Sequence, residues 1–202
     1  FSGLNGAMLV NPDFALGTAG WDDPSVVYNG DGSTMALSVE EGALKAEVVA
    51  GSNPYTPRFG QMNVPFEIDT TYEVSFKAKS SVEKVINLQV GELLTSSPWF
   101  TDFKPSQTEH RTITTEWATY SYKFTMTLDN PRGGVLFELG AIGGVGVDAT
   151  VWFDNITIEA ITVDDEEPEL TGVKETLTIA VDSVYNPMAG VTAYDVFDGV
   201  MT

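Results

Sequence analysis

The chain has 202 residues, with Lys+Arg 10 against Asp+Glu 29, a formal net charge of -19, Cys 0 and His 1. That balance excludes nucleic acid as a partner, because a polyanion is repelled before contact, and argues against anionic membranes; the lack of Cys and the single His exclude a disulfide frame, a thiolate metal site and a histidine cluster. Hydrophobic content of 43% with 11% aromatics is ample for a packed core, in one ordinary domain plus a remnant or in two small ones.

Phe1 to Leu9 carry no basic n-region and no initiator Met, so the chain reads as a mature or excised piece of a longer protein. No apolar run is long enough to span a bilayer. The turn Asn29-Gly30-Asp31-Gly32 precedes the first clear strand, Ala43–Val49, with Leu44, Ala46 and Val48 inward. After the Asn53-Pro54 turn, Tyr55 sits in a Pro-braced loop, and Arg58 and Gln61 open a strand. Thr71–Lys79 alternates Tyr72, Val74, Phe76 and Ala78 with polar residues; Val85–Val90 alternates Ile86, Leu88 and Val90 with Asn87 and Gln89. Pro98-Trp99-Phe100 places aromatics in a loop, and His110 reads as a solvated loop residue. Thr119–Thr127 sets Tyr120, Tyr122, Phe124 and Met126 on one face. Val135–Leu139 sets Val135, Phe137 and Leu139 opposite Leu136 and Glu138, and Val151–Ile158 closes the series with a bulge near Asp154-Asn155. Trp21, Trp117 and Trp152 are expected in the core or at sheet edges. Many short alternating strands, frequent turns and no helical stripe predict an all-β antiparallel sandwich of jelly-roll type.

Five acids and a proline in Asp164–Glu169 mark an exposed linker, dividing the chain into a module over 1–163 and a tail over 164–202. Within the tail, Glu175–Val181 and Ala189–Ala193 read as strands, too few to bury a sheet alone.

An enzyme of this composition would be a carboxylate glycosidase, with an acid and a base or nucleophile facing across a cleft; Glu138 with Glu92 is the pair that could be nominated. Glu67-Ile68-Asp69-Thr70-Thr71-Tyr72 begins like a retaining β-glucanase strand but carries Tyr72 where the second glutamate belongs. It reads as a solvated turn. Gly140-Ala141-Ile142-Gly143-Gly144 lacks the lysine and the helix of a phosphate loop. More informative are Tyr55 and Trp99 beside Arg58, Gln61, Asn87, Gln89 and Glu138. Sugars offer an apolar C–H face to aromatic rings and a fringe of hydroxyls to planar amide, carboxylate and guanidinium groups. The bland alternative for the polar residues is an ordinary outer sheet face.

Asn11-Pro12-Asp13-Phe14 followed by Gly20-Trp21, then Asn53-Pro54-Tyr55, Gly60-Gln61, Thr71–Lys79, Thr115-Glu116-Trp117 and Val151-Trp152-Phe153-Asp154-Asn155-Ile156, is similar in order to carbohydrate-binding modules of families 4, 9, 16 and 22, and most of all to family 4. The resemblance covers about Met8 to Ile161. It implies a non-catalytic jelly roll that binds a neutral polysaccharide or oligosaccharide, β-1,3- or β-1,4-glucan or xylan, in a groove on one sheet. It also implies an extracellular or cell-surface setting among other domains of a parent glycoside hydrolase or surface protein. Tyr55 and Trp99, the latter in preference to Phe100, correspond to the stacking platforms, with Arg58, Gln61, Gln89 and Glu138 as hydroxyl-bonding groups. Asp13 and Asp154 correspond to ligands of a structural Ca²⁺. The tail, through Ala189–Asp195 and Asp198-Gly199, resembles the start of a bacterial immunoglobulin-like surface domain.

Overall fold

The computed structural model describes residues 8–103 and 110–162, and beyond them 169–173, 178, 181–182, 184, 186, 189–195 and 199–201. The chain divides into two compact units, Phe1–Ile161 and Thr162–Thr202.

Among the described residues of the first unit are ten strands: β1 (Thr34–Glu40), β2 (Ala43–Val49), β3 (Arg58–Phe66), β4 (Thr71–Ser80), β5 (Lys84–Leu93), β6 (Phe100–Asp102), β7 (His110–Ile113), β8 (Ala118–Thr125), β9 (Asn130–Glu138) and β10 (Ala149–Ile161). They pair antiparallel into two sheets. The first sheet runs β1-β2-β10-β4-β8; the second runs β3-β9-β5, with β6 and β7 both on the free side of β5. This is an antiparallel β-sandwich jelly roll, and no helix occurs among the described residues.

Period-two alternation decides what lies between the sheets. Leu44, Ala46, Val74, Phe76, Val151 and Phe153 point inward from the first sheet, and Phe59, Ile86, Leu88, Val90, Val135 and Phe137 from the second; all are buried. Phe137 contacts the rings of Phe59, Phe76 and Phe153 at 5.0–5.1 Å, so four phenylalanines from both sheets meet in one cluster. Such pairs add about 0.5–1.5 kcal/mol each beyond the area they bury. The bulge expected in β10 is present as a register shift between Asp154 and Thr157.

The segment Leu9–Phe14 joins the two sheets. Val10 is bonded through both backbone groups to the side chain of Gln61 on β3, and the Pro12 carbonyl accepts from the Ile156 amide on β10 at 3.0 Å. Trp21 is fully buried beside Phe14 and Phe59, its indole N–H donating to the Asn11 carbonyl. Trp117 and Trp152 take a different place from Trp21. Both lie on the outer face of the first sheet with the Lys79 ammonium between them, 5.1 and 5.0 Å from the ring centroids. Their stacking on a lysine, not core burial, accounts for them.

The second unit contains a three-stranded antiparallel sheet, β11 (Glu169–Thr171), β12 (Thr192–Asp195) and β13 (Gly199–Met201). Most of the strand expected over 175–181, and the acidic run 164–168, lie outside the described residues.

Candidate functional site

The inward set of the second sheet fixes what its other face presents. Opposite to Phe59, Phe137 and Leu88 in parity stand Arg58, Gly60 and Met62 on β3, Gly134, Leu136 and Glu138 on β9, and Asn87, Gln89 and Gly91 on β5. Register aligns them in rows: Arg58, Glu138, Asn87 and then His110 of β7 form one row, and Met62, Gly134, Gly91 and Asp102 another. His110 therefore belongs to a strand and not to a loop, a correction that follows from its pairing with Asn87.

Two polar groups in the first row are bonded to each other. Asn87 Nδ2 donates to Glu138 Oε2 at 2.7 Å, and both side chains are buried. Arg58 is half-buried beside its cross-strand partner Glu138; burial pushes its guanidinium below the ordinary value, and the Glu138 carboxylate pushes it back. Next along β5, Gln89 Oε1 is sheltered from solvent without a hydrogen-bond partner among the described residues. A sheltered acceptor left open is costly, about 1–3 kcal/mol, unless a ligand or water donates to it.

Aromatic rings stand beyond both ends of these rows. The loop carrying Tyr55 is held by Gly140 N–H to the Pro54 carbonyl at 2.9 Å, Leu139 N–H to Pro57 and Ala141 N–H to Asn53. A Cβ at Gly140 would lie 1.9 Å from the Asn53 carbonyl oxygen, so no other residue lets β9 leave the sheet beneath this loop. Tyr55 is 41% exposed. At the opposite end, Trp99 tips the β5–β6 hairpin, bonded through its carbonyl to Leu94 N–H at 2.8 Å. It is 60% exposed at φ 69°, a left-handed conformation that costs an indole-bearing residue about 1–2 kcal/mol. Strain spent on presenting an apolar ring to water points to function. From the Asn87 row to the Leu93–Phe100 row is six residues of β5, about 20 Å. The outer face thus runs for that length between the loops that carry these two rings.

Tyr28 joins this end of the face without having been expected from the sequence pattern. It is 43% exposed, pairs with Arg58 through an isolated bridge, and lies 6.3 Å from Tyr55 with rings inclined at 43°. Its loop is tied to that of Tyr55 through Asp31, which accepts from Asn53 and Ser52. The signal available was an aromatic abutting the Asn29-Gly30-Asp31-Gly32 turn, the same context that marked Tyr55 and Trp99.

Two expectations are corrected. Gln61 shares the parity of Phe59, not of Arg58, and its amide is fully engaged: Oε1 accepts from Val10 N–H at 2.7 Å and Nε2 donates to the Val10 carbonyl at 2.9 Å. It is a clip for the N-terminal segment, turned away from the outer face. Glu92 with Glu138 makes no catalytic pair. Glu92 has the opposite parity, accepts from Asn130 at 2.8 Å and pairs with Arg132 at 2.7 Å. The registers place it five residue steps along the strands from Glu138, about 17 Å, where a glycosidase needs about 5–9.5 Å.

The expected metal ligands, Asp13 and Asp154, each bond locally to their own chain neighbours. Asp13 is exposed and accepts from Ala15 N–H at 3.3 Å, and both oxygens of Asp154 accept from Asn155. No group of three or more His, Cys, Asp or Glu side chains suits a metal among the described residues. The backbone beside them meets where Ile156 N–H donates to the Pro12 carbonyl.

The profile of a carbohydrate-binding domain family, the 4/9 type, matches residues 6–145, more than half of the chain. The chain belongs to that family. Among solved structures, this carbohydrate-binding domain is similar to a family 4 carbohydrate-binding module at 20% identity, TM-score 0.65, covering 76% of this chain and 99% of the other. A putative sugar-binding protein from Bacteroides thetaiotaomicron aligns at 11% identity, TM-score 0.57, covering 77% and 100%. The N-terminal cellulose-binding domain of Cellulomonas fimi β-1,4-glucanase C aligns at 25% identity, TM-score 0.50, covering 71% and 90%. The first two likenesses bear on fold alone. No curated protein shows a significant match to the carbohydrate-binding domain.

Proposed function

We propose that the chain is a non-catalytic module that holds an uncharged polysaccharide, a β-glucan (β-1,3 or β-1,4) or a xylan, along the outer face of the second sheet. The observation that carries this reading is the set of exposed rings, Tyr28 and Tyr55 at one end and Trp99 at the other, on loops pinned to that face in a member of a carbohydrate-binding family. Rings take the C–H faces of pyranoses, and Gln89 and Glu138 serve hydroxyls between them. An uncharged chain meets no repulsion from a protein of net charge -19.

Polysaccharides of this kind lie outside cells, so we place the module in a secreted or surface-displayed bacterial protein, ancillary to a glycoside hydrolase or another domain of the parent chain. The second unit is read as the opening of an immunoglobulin-like surface domain. A structural Ca²⁺ is proposed where Asp13 and Asp154 flank the Pro12–Ile156 contact; hard oxygen donors suit that ion, and backbone carbonyls would have to complete its shell.

Affinity electrophoresis through gels containing laminarin, hydroxyethylcellulose or xylan tests the function. Retardation by at least one of them is expected. Free migration through all three, with Ca²⁺ present, would contradict it.

A further inference from the structure

Arg58 belongs to the candidate face, yet its contacts are mostly with the protein. Its backbone N–H and carbonyl both bond Tyr28 at 3.0 Å, its Nε lies 3.5 Å from the Val26 carbonyl, and its Cζ sits 5.3 Å from the centroid of the Tyr28 ring. Across the strand stands Glu138, whose carboxylate opposes the burial penalty on the guanidinium. A guanidinium is flat and delocalised; its face stacks on an aromatic ring while its N–H edge remains directed at an anion. Arg58 stands with its guanidinium over the Tyr28 ring and with Glu138 as its cross-strand neighbour. The same Tyr28 ring lies 6.3 Å from that of Tyr55, inclined to it at 43°.

An exposed tyrosine without such a clamp changes rotamer in picoseconds to nanoseconds. Ordering it at the moment of binding would then be charged against affinity. We propose that Arg58 is a positioning residue: it locks Tyr28 against Tyr55 at a fixed inclination and couples this bent aromatic rim to Glu138 on the sheet. The proposal rests on the function given above and replaces the expectation that Arg58 bonds sugar hydroxyls as its main task. The ligand concerned is an uncharged pyranose chain laid with its C–H face on the rings. Two rings inclined at 43° cannot both lie flat on a straight ribbon. Their fixed angle therefore reads whether successive sugars turn, as in β-1,3 chains, or lie flat, as in β-1,4 chains.

A double-mutant cycle decides between positioning and direct contact. Wild type, Arg58→Met, Tyr28→Ala and the double variant are titrated calorimetrically with laminarihexaose, cellohexaose and xylohexaose, after thermal unfolding confirms that each is folded. Expected are a loss of about tenfold for Arg58→Met on the scale of a lost aromatic contact, partial recovery in Arg58→Lys, and a double variant no weaker than Tyr28→Ala. The ratio of affinities between the hexaoses should also move toward one in Arg58→Met. Additive losses would overturn the proposal and make Arg58 a ligand contact. A second arm needs no sugar: in the free protein carrying ring-labelled tyrosine, Arg58→Met should shift and sharpen the Tyr28 resonances, with Arg58→Lys between it and wild type. Unchanged Tyr28 resonances would overturn the proposal. Should wild type bind none of the hexaoses, the functional reading fails by itself, and the tyrosine resonances still decide the role of Arg58.

Discussion

Truncation of Tyr55 is the perturbation whose size the structure allows to be worked out. The residue keeps 41% of its surface exposed, and an aromatic side chain has about 200 Å² to bury. About 80 Å² therefore remains to be covered, and at about 25 cal/mol per Å² a stacked pyranose recovers about 2 kcal/mol, or about 1 where one ring face alone is reached. Tyr55→Ala should accordingly weaken glycan binding by about 5–30-fold. Its loop should survive, because the bonds to Leu139, Gly140 and Ala141 run through the backbone of residues 53–57 and not through the phenol. Isothermal titration with the hexaose that wild type binds tightest, beside a thermal melt of both proteins, gives the answer. Unchanged affinity in a folded variant would remove Tyr55 from the site and refute the reasoning from exposed area.

Three further outcomes follow from particular contacts. Gln61→Leu removes both bonds to Val10 and should lower the unfolding free energy by about 1–3 kcal/mol while leaving affinity as it was; a loss of affinity with stability intact would restore Gln61 to the ligand site. Lys84 is buried with its ammonium donating to the Val147 carbonyl at 2.6 Å, and burial pushes it down to about 8 from 10.5. The unfolded chain thus holds that proton over a window where the folded chain has lost it, so stability should rise from pH 8 to 10.5 by roughly 3 kcal/mol. Urea unfolding of wild type against Lys84→Met isolates this rise, and parallel curves for the two would contradict it. If Ca²⁺ binds near Asp13 and Asp154, chelation should lower Tm and millimolar Ca²⁺ restore it without altering affinity at saturation; a melt indifferent to chelator would remove the ion.

The sheet cores were legible because each inner face repeats every second residue, as in Tyr72, Val74, Phe76 and Ala78, and burial follows that period. β1 was harder to read: Met35 and Leu37 alternate, but at the outer edge of their sheet they are only partly buried. β6 and β7 span three and four residues, too short for any period to show. At the site, Tyr55 and Trp99 were found because loop aromatics lack a core explanation. Tyr28 sits in the same kind of context but has no proline beside it, and its link to Tyr55 depends on a bridge between residues thirty apart in sequence. The role of Gln61 is not legible in sequence because glutamine at the start of a strand looks alike facing in or out. Its parity with Phe59 was available, but not the knowledge that Val10 would run past it.

Chemical-shift mapping on the isotopically labelled chain, with the bound hexaose added stepwise, tests the central claim most directly. The account predicts perturbed signals at Tyr28, Tyr55 and Trp99 together, joined by Gln89 and Asn87 on the outer face of the second sheet. Shifts confined to the opposite sheet, around Trp117 and Trp152, would contradict it.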